Sequence, residues 1–183
     1  MEVILQSGDI KLRPLVAADA PDMAFLANNE KIAINVRDGF PHPYTLQDAE
    51  NFVKMTSGPD FGIVFAIEYQ GRYVGNTAII PGKDVYRQSA EIGYFIGEPY
   101  WNKGIVTTTV NLMTEYCFRE LGLVRVWAGI FEFNTASQRV LEKCGFEKEA
   151  VHRMEVTKKG KLWNEVVFAK LNPNLDSGMI GEL

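Results

Sequence analysis

Apolar positions recur along this chain with two different periods, and the switches between them mark its elements. Ile10 and Leu12 alternate with polar partners over Asp9 to Leu15, which predicts a first strand closing at Pro14. Phe61 to Tyr69 and Arg72 to Ile80 are two alternating runs, β-branched and aromatic, joined by Gln70-Gly71 in the manner of a hairpin. Gln88 to Ile96 alternates again. Between Lys103 and Leu121 the period becomes helical, with Val106, Val110, Met113, Tyr116, Cys117 and Leu121 on one stripe. Val124 to Ile130 is then extended, Thr135 to Cys144 helical and Phe146 to Val156 extended; a turn at Lys158 to Gly160 leads to a last strand, Leu162 to Lys170. Nearer the start, Asp19 or Ala20 opens a helix with Pro21 in its first turn, and Thr45 with Asp48 caps another running to about Met55. Between them Ile32, Ile34 and Val36 read as helix end or loop. This order predicts a mixed α/β chain: a mostly antiparallel sheet flanked by helices, with the strands before and after the long helix parallel.

Two stretches carry the candidate chemistry. The first, Glu91 to Thr109, passes from strand through a turn at Gly97 to Gly104 into the long helix. The first amides of such a helix have no partner within it and point outward at the positive end of the helix dipole. No acidic side chain stands between Glu98 and Glu115, and Lys103 stands at the helix start. That suits an external phosphate. The second stretch, Phe131 to Phe146, opens a shorter helix with Asn134 as N-cap and Gly145 as its stop. Asn134, Ser137 and Leu141 are spaced to share one face of it.

At these two places the chain resembles the GNAT N-acetyltransferase superfamily, and within it the ribosomal-protein alanine acetyltransferase (RimJ/RimL-like) branch. The resemblance runs from about Ile10 to Leu171. Y-W-N-K-G-I-V-T resembles that branch's acetyl-CoA pyrophosphate loop, and N-T-A-S-Q-R-V-L-E-K-C-G-F its second CoA-contacting motif. The first departs from the family pattern at Trp101, Asn102, Val106 and Thr108. Val106 stands where Gly or Ala is usual, so its bulk could keep a phosphate from the backbone. The resemblance implies a three-layer fold of about six or seven strands and about four helices, in which the parallel central pair splays apart. It also implies acetyl-CoA as cosubstrate and no metal. Residues 1–171 are expected to form one N-acetyltransferase domain and residues 172–183 a frayed or partner-dependent tail.

Composition narrows the setting. With 183 residues, 46% hydrophobic and 23% charged, the chain matches an ordinary globular domain. No run approaches the roughly 20 apolar residues of a membrane span, and the N-terminus lacks a secretory pattern, so the cytoplasm is expected. The net charge of −4 argues against general nucleic-acid binding and is compatible with a cationic acceptor. Cys117 and Cys144 lie on apolar helix stripes and read as reduced core residues. Two cysteines and two histidines far apart offer no metal-ligand spacing.

Acetyl transfer needs a phosphate cradle, an oxyanion donor, a route for the amine proton and a proton for the departing thiolate. For the cradle we expect Trp101, Asn102, Lys103, Gly104, Ile105 and Val106. For the pantetheine arm, the resemblance implies main-chain groups of Phe95 and Ile96, freed by an irregularity at Gly93 or Gly97. Glu91 and Glu155 are the candidate bases, although strand carboxylates also serve as plain ion-pair partners. Ser137 matches the family's N-x-x-S position and is the candidate general acid; a serine bonded back to a carbonyl one turn earlier is the alternative. Asn134 serves as cap and CoA contact, while Arg139 and Lys143 either meet the 3′-phosphate or form a solvated face. The acceptor is a primary amine, of a protein N-terminus on the branch resemblance or of a small molecule such as a polyamine or aminoglycoside. A CoA-binding module with little catalysis and a nucleotide-phosphate binder are the competing classes. The final strands or the tail are candidates for a homodimer contact.

Overall fold

Every alternating run named above enters one sheet. The computed structural model describes residues 4–56, 58, 61–175 and 178. Its strands are β1 (Leu5–Ser7), β2 (Ile10–Pro14), β3 (Ile63–Tyr69), β4 (Arg72–Pro81), β5 (Ser89–Ile96), β6 (Arg125–Phe131), β7 (Glu147–Lys158) and β8 (Lys161–Leu171). They lie in the order β1-β2-β3-β4-β5-β6-β8-β7, antiparallel throughout except for the parallel pair β5–β6. The helices are α1 (Ala20–Ala27), α2 (Glu30–Ala33), α3 (Leu46–Thr56), α4 (Ile105–Arg119) and α5 (Thr135–Lys143).

The mixed sheet with a parallel central pair is the expected one, with one strand and one helix more than expected among the described residues. Both additions are too short for a period to show. β1 has three residues, and α2 is a single turn capped by Asn29, whose side chain accepts from the Lys31 amide at 2.9 Å. The expectation for the tail falls for the most part outside the described residues; Asn172 at its start donates its amide to the Val124 carbonyl at 2.9 Å. No described helix is long and apolar enough to cross a membrane.

Helices cover both faces of the sheet. On one face α4 buries Ile105, Val110, Met113 and Cys117, and α5 buries Leu141, against Ile92, Ile96, Val126 and Phe168. On the other, α1 and α3 bury Met23, Leu26, Ala49 and Val53 against Ala66 and Tyr73. Arg13 on β2 ties the start of α1 to that face through Asp19 at 2.8 Å and Glu68 at 2.7 Å. The Thr45–Asp48 cap forms as expected, with the Thr45 amide donating to Asp48 at 2.8 Å.

The feature that positions a site is the parting of β5 from β6. Parallel pairing covers Ser89 with Arg125, Ala90 with Val126 and Glu91 with Trp127, then stops. β5 stays in register with β4 as far as Ile96, and β6 with β8 as far as Phe131, so each strand is held from outside while the two diverge inside. This corrects the expected irregularity at Gly93 or Gly97: the β4–β5 register is unbroken from Pro81–Ala90 to Gly75–Ile96. Divergence, not a bulge, releases main-chain groups on β5. The Gly82 amide bonds to Ser89 and the Gly97 amide to Val74, both on the β4 side. By antiparallel alternation, Tyr94 and Ile96, which lie beyond the last registered pair, therefore turn their amides and carbonyls toward the opening, whereas Phe95 turns its own toward β4.

Close contact between β4 and β5 depends on Gly75. A Cβ there would stand 2.2 Å from the Phe95 carbonyl oxygen and 2.9 Å from the Ile96 Cα. Backbone cannot move aside cheaply, so Gly75→Ala is expected to cost about 2 kcal/mol of stability, read as a lower urea midpoint with an unchanged slope.

Candidate functional site

The end of β5 delivers the chain to the start of α4 through a turn with two left-handed residues, Asn102 (φ 59°) and Gly104 (φ 75°). Gly pays nothing for such a conformation, and Asn is among the side chains that tolerate it best. Asn102 thus fills the place where the resembled branch usually has Gly without reshaping the turn. Gly104 caps α4 with no side-chain bond, and no acid lies in the first turn. The first bond closing the helix runs from the Thr108 amide to the Gly104 carbonyl at 3.1 Å, which leaves the amides of Ile105, Val106 and Thr107 ahead of it.

These amides face a groove of about 560 Å³ between the opened strands, α4 and α5. Phe95, Ile96, Trp101, Asn102, Lys103, Gly104, Ile105, Val106, Asn134, Ser137 and Arg139 all line it, so the structure brings the expected binding residues together. Val106 is half-buried and packs against the core as well as lining the groove, and the groove stays open beside it. Trp101 does more than pack, since its indole donates to the Ile96 carbonyl at 2.8 Å and so occupies one of the groups that divergence released. Phe95 places its ring on the opposite side, 5.3 Å from the ring of Phe40.

Charge along the groove is one-sided. Lys31, Lys103, Arg139 and Lys143 line it, and among the described residues no carboxylate does, although the chain as a whole carries −4. Lys103 lies over the Tyr100 ring at 5.4 Å, and Lys31 pairs with Glu98 at the rim. Such a lining suits a ligand with several negative charges.

On α5, Asn134 acts as the expected cap: its side-chain oxygen accepts from the Ser137 amide at 3.2 Å. The Ser137 hydroxyl makes no bond back to a carbonyl, unlike Thr114 on α4, which bonds to Val110 at 2.7 Å. It faces a residue that periodicity marked only as a strand position, Tyr94. The Tyr94 ring lines the groove and its hydroxyl oxygen is buried without a hydrogen-bond partner. Burial pushes its pKa up, and the nearby Ser137 hydroxyl draws it down.

The two candidate bases lie elsewhere. Glu155 is exposed in the irregular middle of β7, where Met154 has φ 56° and the register with β8 jumps between His152 and Val156. It does not line the groove, so geometry gives no support to its expected role. Glu91 sits at the foot of the opening, in the last registered pair of β5 and β6. Its side chain is on the face opposite Ile92 and pairs with Arg37 at 2.5 Å. Burial raises its pKa, Arg37 lowers it and Glu165 on β8 raises it further. Glu165 escaped the sequence reading because β8 reads as an ordinary strand. Its carboxylate lies across Gly129, 2.5 Å from where a Cβ would stand, and 3.6 Å from His152 Nδ1. Both cysteines are buried and free, with burial raising the Cys117 thiol to about 12. No cluster of three metal-ligating side chains occurs among the described residues.

Residues 9–147 match the family description Acetyltransferase (GNAT) domain. The chain belongs to the GNAT acetyltransferase family. It is 40% identical over 114 residues to the probable N-acetyltransferase YjcK of Bacillus subtilis, covering 62% of each chain. It is 28% identical over 146 residues to the spermidine N(1)-acetyltransferase of Escherichia coli, covering 76% of this chain and 74% of that one. The matched stretch spans less than two thirds of the length of YjcK and about half that of two further Bacillus N-acetyltransferases. Among solved structures, RimL, a ribosomal alpha-N-protein acetyltransferase in complex with coenzyme A, superposes with a TM-score of 0.84 at 16% identity, covering 92% of this chain and 98% of that one. That likeness shows a shared GNAT fold.

Electrostatics at the foot of this GNAT opening are testable without a substrate. Arg37→Met should move the Glu91 carboxyl to a higher pKa and Glu165→Gln to a lower one. Carbon-13 NMR titration of the Glu91 carboxyl checks both directions.

Proposed function

We propose that this GNAT chain is an acetyl-CoA-dependent N-acetyltransferase acting on a primary amine, with a protein N-terminus as its acceptor. The observation that carries the reading is the acid-free, cation-lined groove that runs from the unbonded amides of α4 into the opening between β5 and β6. A diphosphate fits the first of these and a thioester arm the second.

The residues fit the cosubstrate as follows. Amides from Lys103 through Thr107 would take the diphosphate, and Arg139 with Lys143 would take the 3′-phosphate. Bound there, acetyl-CoA supplies the activated acetyl group. Main-chain groups of Tyr94 and Ile96 turn toward the opening, and the amide of either would serve as oxyanion donor, since Trp101 engages only the Ile96 carbonyl. In the transfer, the amine nitrogen bonds to the acetyl carbon, the carbon–sulfur bond breaks and its electron pair leaves on sulfur. The amine loses one proton and the sulfur gains one. Ser137, which lines the groove, would donate to the sulfur. Glu91, with its raised pKa, is better suited to accept the amine proton than an ordinary carboxylate. Glu155 has the weaker case, from its exposure. The reading implies a cytoplasmic setting, where acetyl-CoA is available.

A second acceptor class, polyamines, is favoured by the two carboxylates Glu91 and Glu165 on the face opposite the groove helices, and by the spermidine-acetylating relative. Calorimetry and an amine panel separate the readings. We expect acetyl-CoA and CoA to bind and ATP not to. Thiol release should be faster with N-terminal peptides than with spermidine; the reverse order would assign the polyamine class. Ser137→Ala should lower kcat by about 100-fold with little change in acetyl-CoA affinity. Binding of ATP alone, or tight CoA binding with no amine that accelerates thiol release, would overturn the enzyme reading.

A further inference from the structure

Tyr94 carries a buried polar group of the groove, its hydroxyl, that the proposed chemistry leaves unused. Its place on β5 puts its ring on the face shared with α5, where it packs against the core cluster. Its hydroxyl oxygen exposes less than 1 Å² and forms no hydrogen bond. A phenol needs a reason to hold an unpaired O–H in an interior, because phenylalanine would pack the same space without it. The polar group that acts on it is the Ser137 hydroxyl, and the sulfur of Cys144 is the other titratable neighbour. Cys144 is committed elsewhere, its thiol directed at the Thr107 carbonyl at 3.5 Å. Ser137 has its amide tied to Asn134, and its hydroxyl oxygen accepts from no donor among the described residues.

We propose that Tyr94 is a positioning residue for the transfer: its O–H donates to Ser137 Oγ when acetyl-CoA is bound, turning the serine proton into the groove. Burial keeps the phenol protonated at working pH, so Tyr94 holds its proton and supplies a hydrogen bond. As the Ser137 proton moves to the departing sulfur, negative charge grows on Oγ, and a fixed donor behind it stabilises that charge. Phenylalanine would leave Oγ without this support. The inference rests on Ser137 acting as the proton donor.

Tyr94→Phe keeps the ring and removes only the hydroxyl. We expect kcat to fall about tenfold with the KM for acetyl-CoA unchanged, and Tyr94→Phe to add nothing further in a Ser137→Ala background. A second readout needs no turnover. In Ser137→Cys the thiol at that position should titrate about one unit higher once Tyr94→Phe is added, because the donor that favours the thiolate is gone. The pH dependence of its reaction with a thiol reagent reports this, since Cys117 and Cys144 are buried with raised pKa values. An unchanged thiol pKa, or additive losses from the two single variants, would overturn the proposal for Tyr94 while leaving Ser137 in place. If Ser137→Ala left kcat intact, the serine reading would fall and the Tyr94 proposal with it.

Discussion

The structure depends on two strands being prevented from pairing. β5 and β6 share three registered positions and then separate, each locked in register with an outer partner. In a parallel sheet the main-chain groups of such neighbours would consume one another, and leaving them unpaired in an interior is costly. The cost is tolerable where a ligand or a side chain supplies the missing partners, and Trp101 does so for the Ile96 carbonyl. The remaining groups, those of Tyr94 and the Ile96 amide, face a groove whose other wall is the bare start of α4. The opening and the helix start are one device, because the same turn, with Asn102 and Gly104 left-handed, ends the strand and aims the helix.

Charge follows the same geometry. Four cations line the groove, while the paired carboxylates Glu91 and Glu165 stand on the other face of the sheet. The sheet therefore separates a face suited to a polyanion from one suited to a cation, and the gap between β5 and β6 is where the two communicate. Transfer between an anionic carrier and a basic amine needs such an arrangement. On the proposed reading each partner would approach its own face and the reacting atoms would meet at the slot.

Much of this was legible in the sequence. Periods of two and of 3.6 located the long elements to within a few residues, because burial on one face imposes them. The helix starts were readable from their missing acids and from Asn134, a cap whose chemistry is local. What escaped depends on contacts between distant segments. β1 and α2 are too short to show a period. Strand divergence is a property of β4 and β8 as outer partners, so the sequence of β5 suggested a bulge at Gly93 or Gly97 where register is in fact continuous. The same expectation named Phe95 beside Ile96, whereas strand alternation turns Tyr94 and Ile96 toward the opening. Glu165 is notable only once Gly129 lies beneath it, and Glu155 lost its support because Met154 and the register shift in β7 carry it to the surface. Val106 looked like an obstruction in sequence; the valine lines the groove and packs against the core beside it.

On the proposed reading the α4 start and the β5–β6 opening form one seat for a CoA thioester. Residue-resolved amide hydrogen exchange, with and without saturating CoA, reads out both halves of that seat at once. Exchange is expected to slow at Ile105, Val106, Thr107 and Tyr94, with β1 to β3 unchanged. Protection confined to other parts of the sheet, or none at the start of α4 despite saturation, would contradict it.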